Sequence, residues 1–220
     1  MRKLGVVSLS LSLFAATVAV SAQTAAQNPP AQNPPPQAPA GAARQGGGGR
    51  GRAAMQVMSL TTTAWRDGGE IPVKFSQAGV EVSPALSWSG APDTTMSYVL
   101  LAHDLDAAAG DGTTDVLHWM LWNIPKTSTG LPEGVPQGAE LADGTRQISV
   151  TGPNYRGPAA PASGPAHHYV FEMYALDAMI DVKPVGATVV ETRAAVMAAM
   201  AGHVRAKAAM TGTFRRATPS

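Results

Sequence analysis

Two apolar runs, MSYVLLAHD (Met96 to Asp104) and VLHWMLWNIP (Val116 to Pro125), lie one short loop apart and narrow the choice of fold more than any other part of the chain. Runs this rich in Val, Leu and aromatic residues read as strands with both faces covered. The loop carrying Asp111, Gly112 and Asp115 makes them partners in one sheet. Yet the pair also carries Asp104 and His118, with Asp106 just beyond, and burying such groups is costly unless they are hydrogen-bonded. Polar groups in that setting are candidates for a site.

The remaining segments extend the sheet. VMSLTTT (Val57 to Thr63) reads as a first strand, and Gly68 and Gly69 supply a turn before a short strand, IPVKF, at Ile71 to Phe75. Leu86 to Trp88 reads as a short edge strand between Pro84 and Pro92, and QISVTG as another short strand. In HYVFEMYALD (His168 to Asp177), Tyr169, Phe171, Met173 and Ala175 alternate with Val170, Glu172, Tyr174 and Leu176, the pattern of a strand partly buried on both sides. Ala187 to Met210 predicts one long helix, capped by Thr188 with Glu191 as its capping-box partner. TGTFRR closes the chain with a short strand. Many strands, few helices and no internal repeat give a mainly β domain.

That domain is preceded by two segments of different character. Arg2 and Lys3 stand before the apolar run Leu4 to Val20, and small residues at Val20 and Ala22 place a secretory cleavage near Ala22. Residues 23 to 54, rich in Pro, Gly, Ala and Gln, lack the bulky apolar side chains that offset the entropy of ordering, and read as a disordered tether. The expected location is periplasmic or secreted, with no integral membrane segment in the mature chain. Five of the 16 Lys and Arg fall in residues 1 to 54, which hold no Asp or Glu; residues 55 to 220 therefore carry 11 cations against 15 carboxylates, a net charge of −4. Nucleic-acid surfaces need clustered cations, so none is expected on the domain. With no cysteine, the domain relies on core packing rather than disulfides.

Strand alternation places Asp104 and Asp106 on one side of an extended chain, and His118, Met120 and Trp122 on one side of its partner. His167 and Tyr169 share that spacing at the start of a third strand, behind a loop with Pro158, Pro161 and Pro165. Together these form a cup of acceptors, switchable imidazoles and a phenol, suited to a small anion if Asp104 orients and charges one imidazole, or if the bound headgroup brings its own ammonium. The plain alternative is a core imidazole bonded to a carbonyl and a turn-capping Asp. His103 is expected on the opposite face from Asp104 as a structural residue, and His203 as a buried hydrogen-bonding link between helix and sheet. The Asp and His spacings match no zinc motif, so neither a metal nor a cofactor is assigned. No GxSxG elbow supports a serine hydrolase, and the GGGG at Gly46 to Gly49 lacks the strand and helix of a phosphate loop.

HDLDA (103 to 107), LHWMLWNIP (117 to 125), NYRGPAAPASG (154 to 164), HHYVFEMYALD (167 to 177) and AGHVRAKAAMTGTF (201 to 214), with the weaker SPALSW (83 to 88), resemble the bacterial branch of the phosphatidylethanolamine-binding, or Raf kinase inhibitor-like, family. The resemblance spans about Thr61 to Arg215. It implies a large mixed sheet packed on a smaller one, with peripheral helices and a C-terminal helix. It also implies a cavity for phosphate-like anions or phosphorylated headgroups, built from Asp104, His118, Pro158, Pro161, His167 and Tyr169 with Asp106 in support. This chain has DLDAA where the family has DPDAP, and GPAAP where the family's loop is richer in proline. The family includes headgroup binders, protease inhibitors and modulators of kinase signalling. The expected function is an exported binding module for a small anionic or phosphorylated ligand, not an enzyme; the alternatives are a secreted serine protease inhibitor and a hydrolase using the Asp and His groups.

Overall fold

The computed structural model describes residues 55–109, 112–183 and 188–218. The expected signal and tether, and Asp111, lie outside the described residues. Among the described residues, ten strands form two sheets. The large sheet has the order β1 (Gln56–Val57), β10 (Val204–Phe214), β9 (His167–Leu176), β5 (Ser97–Ala109), β6 (Thr114–Pro125), β8 (Arg146–Ile148), with β3 (Gly69–Glu70) also on β10. It is mixed, because β1 and β3 run parallel to β10 while the other pairs are antiparallel. The small antiparallel sheet is β2 (Ser59–Thr61), β4 (Leu86–Ser89), β7 (Gly130–Leu131).

Covering both faces of the large sheet explains why β5, β6 and β9 read as continuous apolar runs. One face meets the small sheet through a core that includes Leu60, Trp88, Tyr98, Leu100, Trp119, Leu121, Phe171 and Met173. The other face packs Val99, Leu101, Met120, Trp122 and Leu176 against Val196 and Met200 of the helix α1 (Val189–Met200). The helix starts where expected: the Thr188 side chain accepts from the Glu191 N–H, and Glu191 reaches back to the Thr188 N–H.

Several expectations need correction. The strand expected at Val57 to Thr63 is divided, β1 joining the large sheet and β2 the small one. Ile71 to Phe75 is not a strand: the chain leaves β3, and Val73–Phe75 make a 3-10 turn that buries Phe75. Leu86–Ser89 is central in the small sheet rather than at its edge. The helix ends at Met200, ten residues early, because Gly202 turns the chain at φ 85° and Val204–Phe214 then alternates, burying Ala206, Ala208, Met210 and Phe214. Alanines give that stretch a helical look, but Gly212 lets the strand lie close against Trp65 and Ile71: a Cβ there would stand 2.5 Å from Ile71. Among the described residues there is one α-helix, so the expected peripheral helices reduce to it and the 3-10 turn.

Candidate functional site

Two irregularities in the β5/β6 ladder build the site. Ala102 pairs with Trp119 but His103 pairs with Leu117, leaving His118 as the extra residue of a β-bulge. A bulge re-aims a side chain. His118 thus leaves the face of Met120 and Trp122, where simple alternation puts it, and turns to Tyr169, its ring edge-on at 5.1 Å. The second irregularity lies between the pairs Asp104 with Val116 and Ala108 with Asp115, so Leu105, Asp106 and Ala107 arch out of the ladder at the end of the sheet.

Below that arch is a cavity of about 210 Å3 lined by Gln77, Asp104, Ala107, Val116, His118, Val150, Ala159, Ala160, Pro161 and His167. Asp104 is 3% exposed and His118 6%. The Asp104 Oδ1 accepts from the Asp106 N–H at 2.9 Å, and its Oδ2 takes His167 Nδ1 at 2.8 Å. Tyr169 lies beneath the lining, its hydroxyl oxygen accepting from the N–H groups of Ala159 and Ala160 at 3.1 and 3.2 Å. Burial, followed by the neighbouring Asp104 carboxylate, pushes its phenol far above the usual range despite those two bonds.

His118 is held from both sides by one residue. Its Nδ1–H donates to the Arg156 carbonyl at 2.9 Å, and its own carbonyl accepts from the Arg156 N–H at 3.0 Å. Burial lowers the imidazole pKa below its ordinary value; the Arg156 carbonyl and the Asp104 carboxylate act the other way without overcoming it. The neutral ring therefore carries its proton on Nδ1 and leaves Nε2 as an acceptor. Arg156 is in turn braced: its guanidinium donates to both Glu81 oxygens at 3.0 and 3.2 Å and to Gln77 Oε1 at 2.6 Å, and Glu81 also accepts the Gly157 N–H. Glu81 sits in the left-handed backbone region at φ 61°, a conformation that costs a side-chain-bearing residue energy. Gly157 lets the loop lie against the 3-10 turn, since a Cβ there would stand 2.4 Å from the Phe75 carbonyl oxygen.

Of the residues singled out by sequence, Asp104, His118, Pro161 and His167 line the cavity and Tyr169 supports it. Asp106 does not line it: its side chain is tied to His168 at 2.7 Å. Pro158 is buried behind the wall, its carbonyl accepting from the Gln77 N–H. Gln77, Val116, Val150 and the Glu81–Arg156 brace were missed. Arg156 stands inside the quoted NYRGP segment and Val116 two residues before His118, but loop residues that meet only through tertiary packing leave no spacing signal. Among the described residues no group of three or more His, Cys, Asp or Glu is placed to hold a metal ion.

On the opposite face, as expected, His103 serves a separate network. Its Nδ1 meets Asp115 Oδ2 at 2.5 Å, and its Nε2 approaches Glu172 Oε2 at 3.4 Å without hydrogen-bond alignment. Arg193 of α1 completes Asp115, and Lys207 completes Glu172. His203 is exposed rather than buried, and pairs with Asp177.

Two unequal sheets, one flanking helix and a hollow lined by Asp104, His118 and His167 beside a bulged strand pair define a mainly β, two-sheet domain. The chain belongs to the phosphatidylethanolamine-binding protein family, which it matches over residues 61–215. A UPF0098 protein of Methanothermobacter thermautotrophicus is 41% identical over 165 residues, covering 72% of this chain and 99% of that one. The lipoprotein LppC of Mycobacterium tuberculosis is 32% identical over 164 residues, covering 73% and 74%. Among solved structures, a phosphatidylethanolamine-binding protein homologue from Chlamydia trachomatis is 30% identical with a TM-score of 0.60, covering 73% of this chain and 98% of that one. YbcL of E. coli, at 24% identity, shares the fold with a TM-score of 0.59, covering 72% and 98%. Among the described residues, no helix is long and apolar enough to cross a membrane.

Proposed function

We propose that this protein is an exported binding module whose cavity takes a small phosphate-like anion, free or as a headgroup, and that it acts by binding rather than by turnover. The observation that carries this reading is the convergence of Asp104, His118 and His167, from three strands, on one hollow walled by the Ala159 to Pro161 loop. At about 210 Å3 the hollow is smaller than the roughly 300–1,000 Å3 of clefts for drug-sized ligands, which suits a headgroup. Acceptors at its polar end take a ligand that brings a proton, such as a monoprotonated phosphate, or one whose charge draws a proton onto His118. Both oxygens of Asp104 are already engaged, by the Asp106 N–H and by His167, which favours a structural over a nucleophilic role for that carboxylate. Export rests on the basic and apolar N-terminal residues read above.

Titration with inorganic phosphate, followed by heteronuclear NMR, tests the reading. Shifts confined to His118, His167, Ala159 and Ala160 are expected. A spectrum unchanged at millimolar phosphate would overturn it.

A further inference from the structure

We infer that the groove beside the C-terminal tail is a second binding site, which takes a short peptide with both ends free. Past the end of β10, the tail from Arg215 to Thr218 and Val73 of the 3-10 turn bound a hollow of about 460 Å3. Glu70, Thr213 and Phe214 also line it, and it shares no residue with the lining of the anion cavity. Its frame is fixed. Glu70 pairs with Thr213 in the parallel β3/β10 ladder, and Phe214 is buried in the core. The tail is tied down at its root: the Arg216 N–H donates to the Ala160 carbonyl at 3.0 Å, and the Arg215 guanidinium to the Gly164 carbonyl at 3.3 Å. At this volume the hollow falls within the roughly 300–1,000 Å3 of ligand clefts.

Opposite charges stand in this groove without meeting. Among the described residues, neither the Glu70 carboxylate nor the Arg216 guanidinium has an ion-pair or hydrogen-bond partner, and the two do not pair with each other. Exposed charges elsewhere are joined, as Lys74 is to Glu133 and Arg205 to Asp177. Charges of opposite sign that face one hollow unneutralised suit a ligand that carries both. Its ammonium goes to Glu70 and its carboxylate to Arg216, whose planar guanidinium holds a carboxylate by two parallel bonds. The tail points to a peptide rather than a lone amino acid. The backbone N–H and C=O groups of Ala217 and Thr218 also lack partners among the described residues, and a peptide laid beside them gains main-chain bonds. Val73, 53% exposed, offers an apolar contact to one of its side chains.

The test is titration of the purified protein with trialanine, followed by heteronuclear NMR, beside free alanine, N-acetyl-trialanine and trialanine amide. Shifts should gather on Glu70, Thr213 and Arg216 to Thr218 and leave His118 and His167 unmoved. Each blocked peptide should bind about tenfold or more weakly than trialanine, the scale of one lost hydrogen bond to a charged group. The acetyl block should make no further difference in Glu70→Gln, and the amide block none in Arg216→Gln. Both side chains are exposed, so neither variant disturbs the core. No response to millimolar trialanine, a response centred on the anion cavity, or alanine binding as tightly as trialanine would overturn the inference. So would an end block without effect in the parent, or one whose effect persists in the matching variant. None of these outcomes touches the anion reading, which phosphate decides.

Discussion

His103 and Asp104 are neighbours on β5, yet they face opposite sides of the large sheet and meet opposite electrostatic surroundings. Under the helix, the His103 imidazole lies between Asp115 and Glu172, which in turn are completed by Arg193 and Lys207. Burial lowers its pKa, but Glu172 and Asp115 outweigh burial and the net shift is upward. On the cavity side the same residue types are present, but no Lys or Arg is in the lining, and His118 is shifted downward by burial. A carboxylate and an imidazole thus make a clamp where the protein supplies the remaining counter-charges, and line an open hollow where no Lys or Arg joins them.

The clamp is where a substitution does most damage to the fold. Glu172 has its carboxyl lowered to about 2, first by its contact with His103 and then by Lys207 and Tyr174. Glu172→Ala takes a carboxylate from the partly exposed Lys207 and leaves the buried His103 ring with Asp115 alone, and should cost about 2 to 3 kcal/mol in urea unfolding, the upper part of the range for a buried polar group left short of a partner. A loss under a few tenths would mean that the face is an ordinary solvated surface and would erase the contrast. On the other side, His118→Ala should act on ligand before fold, weakening phosphate binding by about 1.5 to 3 kcal/mol, as for a lost hydrogen bond to a charged group. Unchanged affinity in that variant would show that the hollow is not where the anion sits.

How much of this could be read from sequence follows from the kind of signal each part leaves. β5, β6 and β9 were legible because burial on both faces writes long apolar runs, and the Thr188 cap because its partner lies three residues away. The convergence of Asp104, His118, His167 and Tyr169 was legible through motif order. The side on which His118 projects was not: alternation put it with Met120 and Trp122, and the bulge that moves it depends on pairing with β5. The end of α1 was misread because AKAAM suits a helix, while its strand character comes from alternate burial against Trp65 and Ile71, two segments distant in sequence. Gln77, Val150 and the Glu81 brace are set by packing between loops.

That brace offers a finer test of the site side. Glu81→Gln keeps the size of the side chain but removes the charge that holds Arg156, and Arg156 is the residue that fixes the His118 proton on Nδ1. Loss of phosphate affinity should be about 1 kcal/mol, the scale of one hydrogen bond. A change in the nitrogen shifts of the His118 ring should accompany it. Weaker binding with an unaltered ring would reassign Glu81 to loop stability alone.

The smallest effects are those of pH, and they should carry opposite signs on the two faces. A His118 pKa below the unfolded value near 6.5 means that the unfolded chain takes up a proton before the folded one. Without ligand, its contribution to stability is therefore present above 6.5 and lost as pH falls through that value toward the folded pKa. His103, raised, contributes stability that is fully present below 6.5 and lost as pH rises through its folded pKa. Stability curves for His118→Gln and His103→Gln should accordingly flatten on opposite sides of 6.5 relative to the parent. Sulfate, which keeps its charge across this range, should bind more tightly as pH falls in the parent and in His103→Gln, because it pulls a proton onto His118, and this gain should vanish in His118→Gln. A gain that survives there would place the proton on another group of the cavity and end the assignment of His118 as the site's switch.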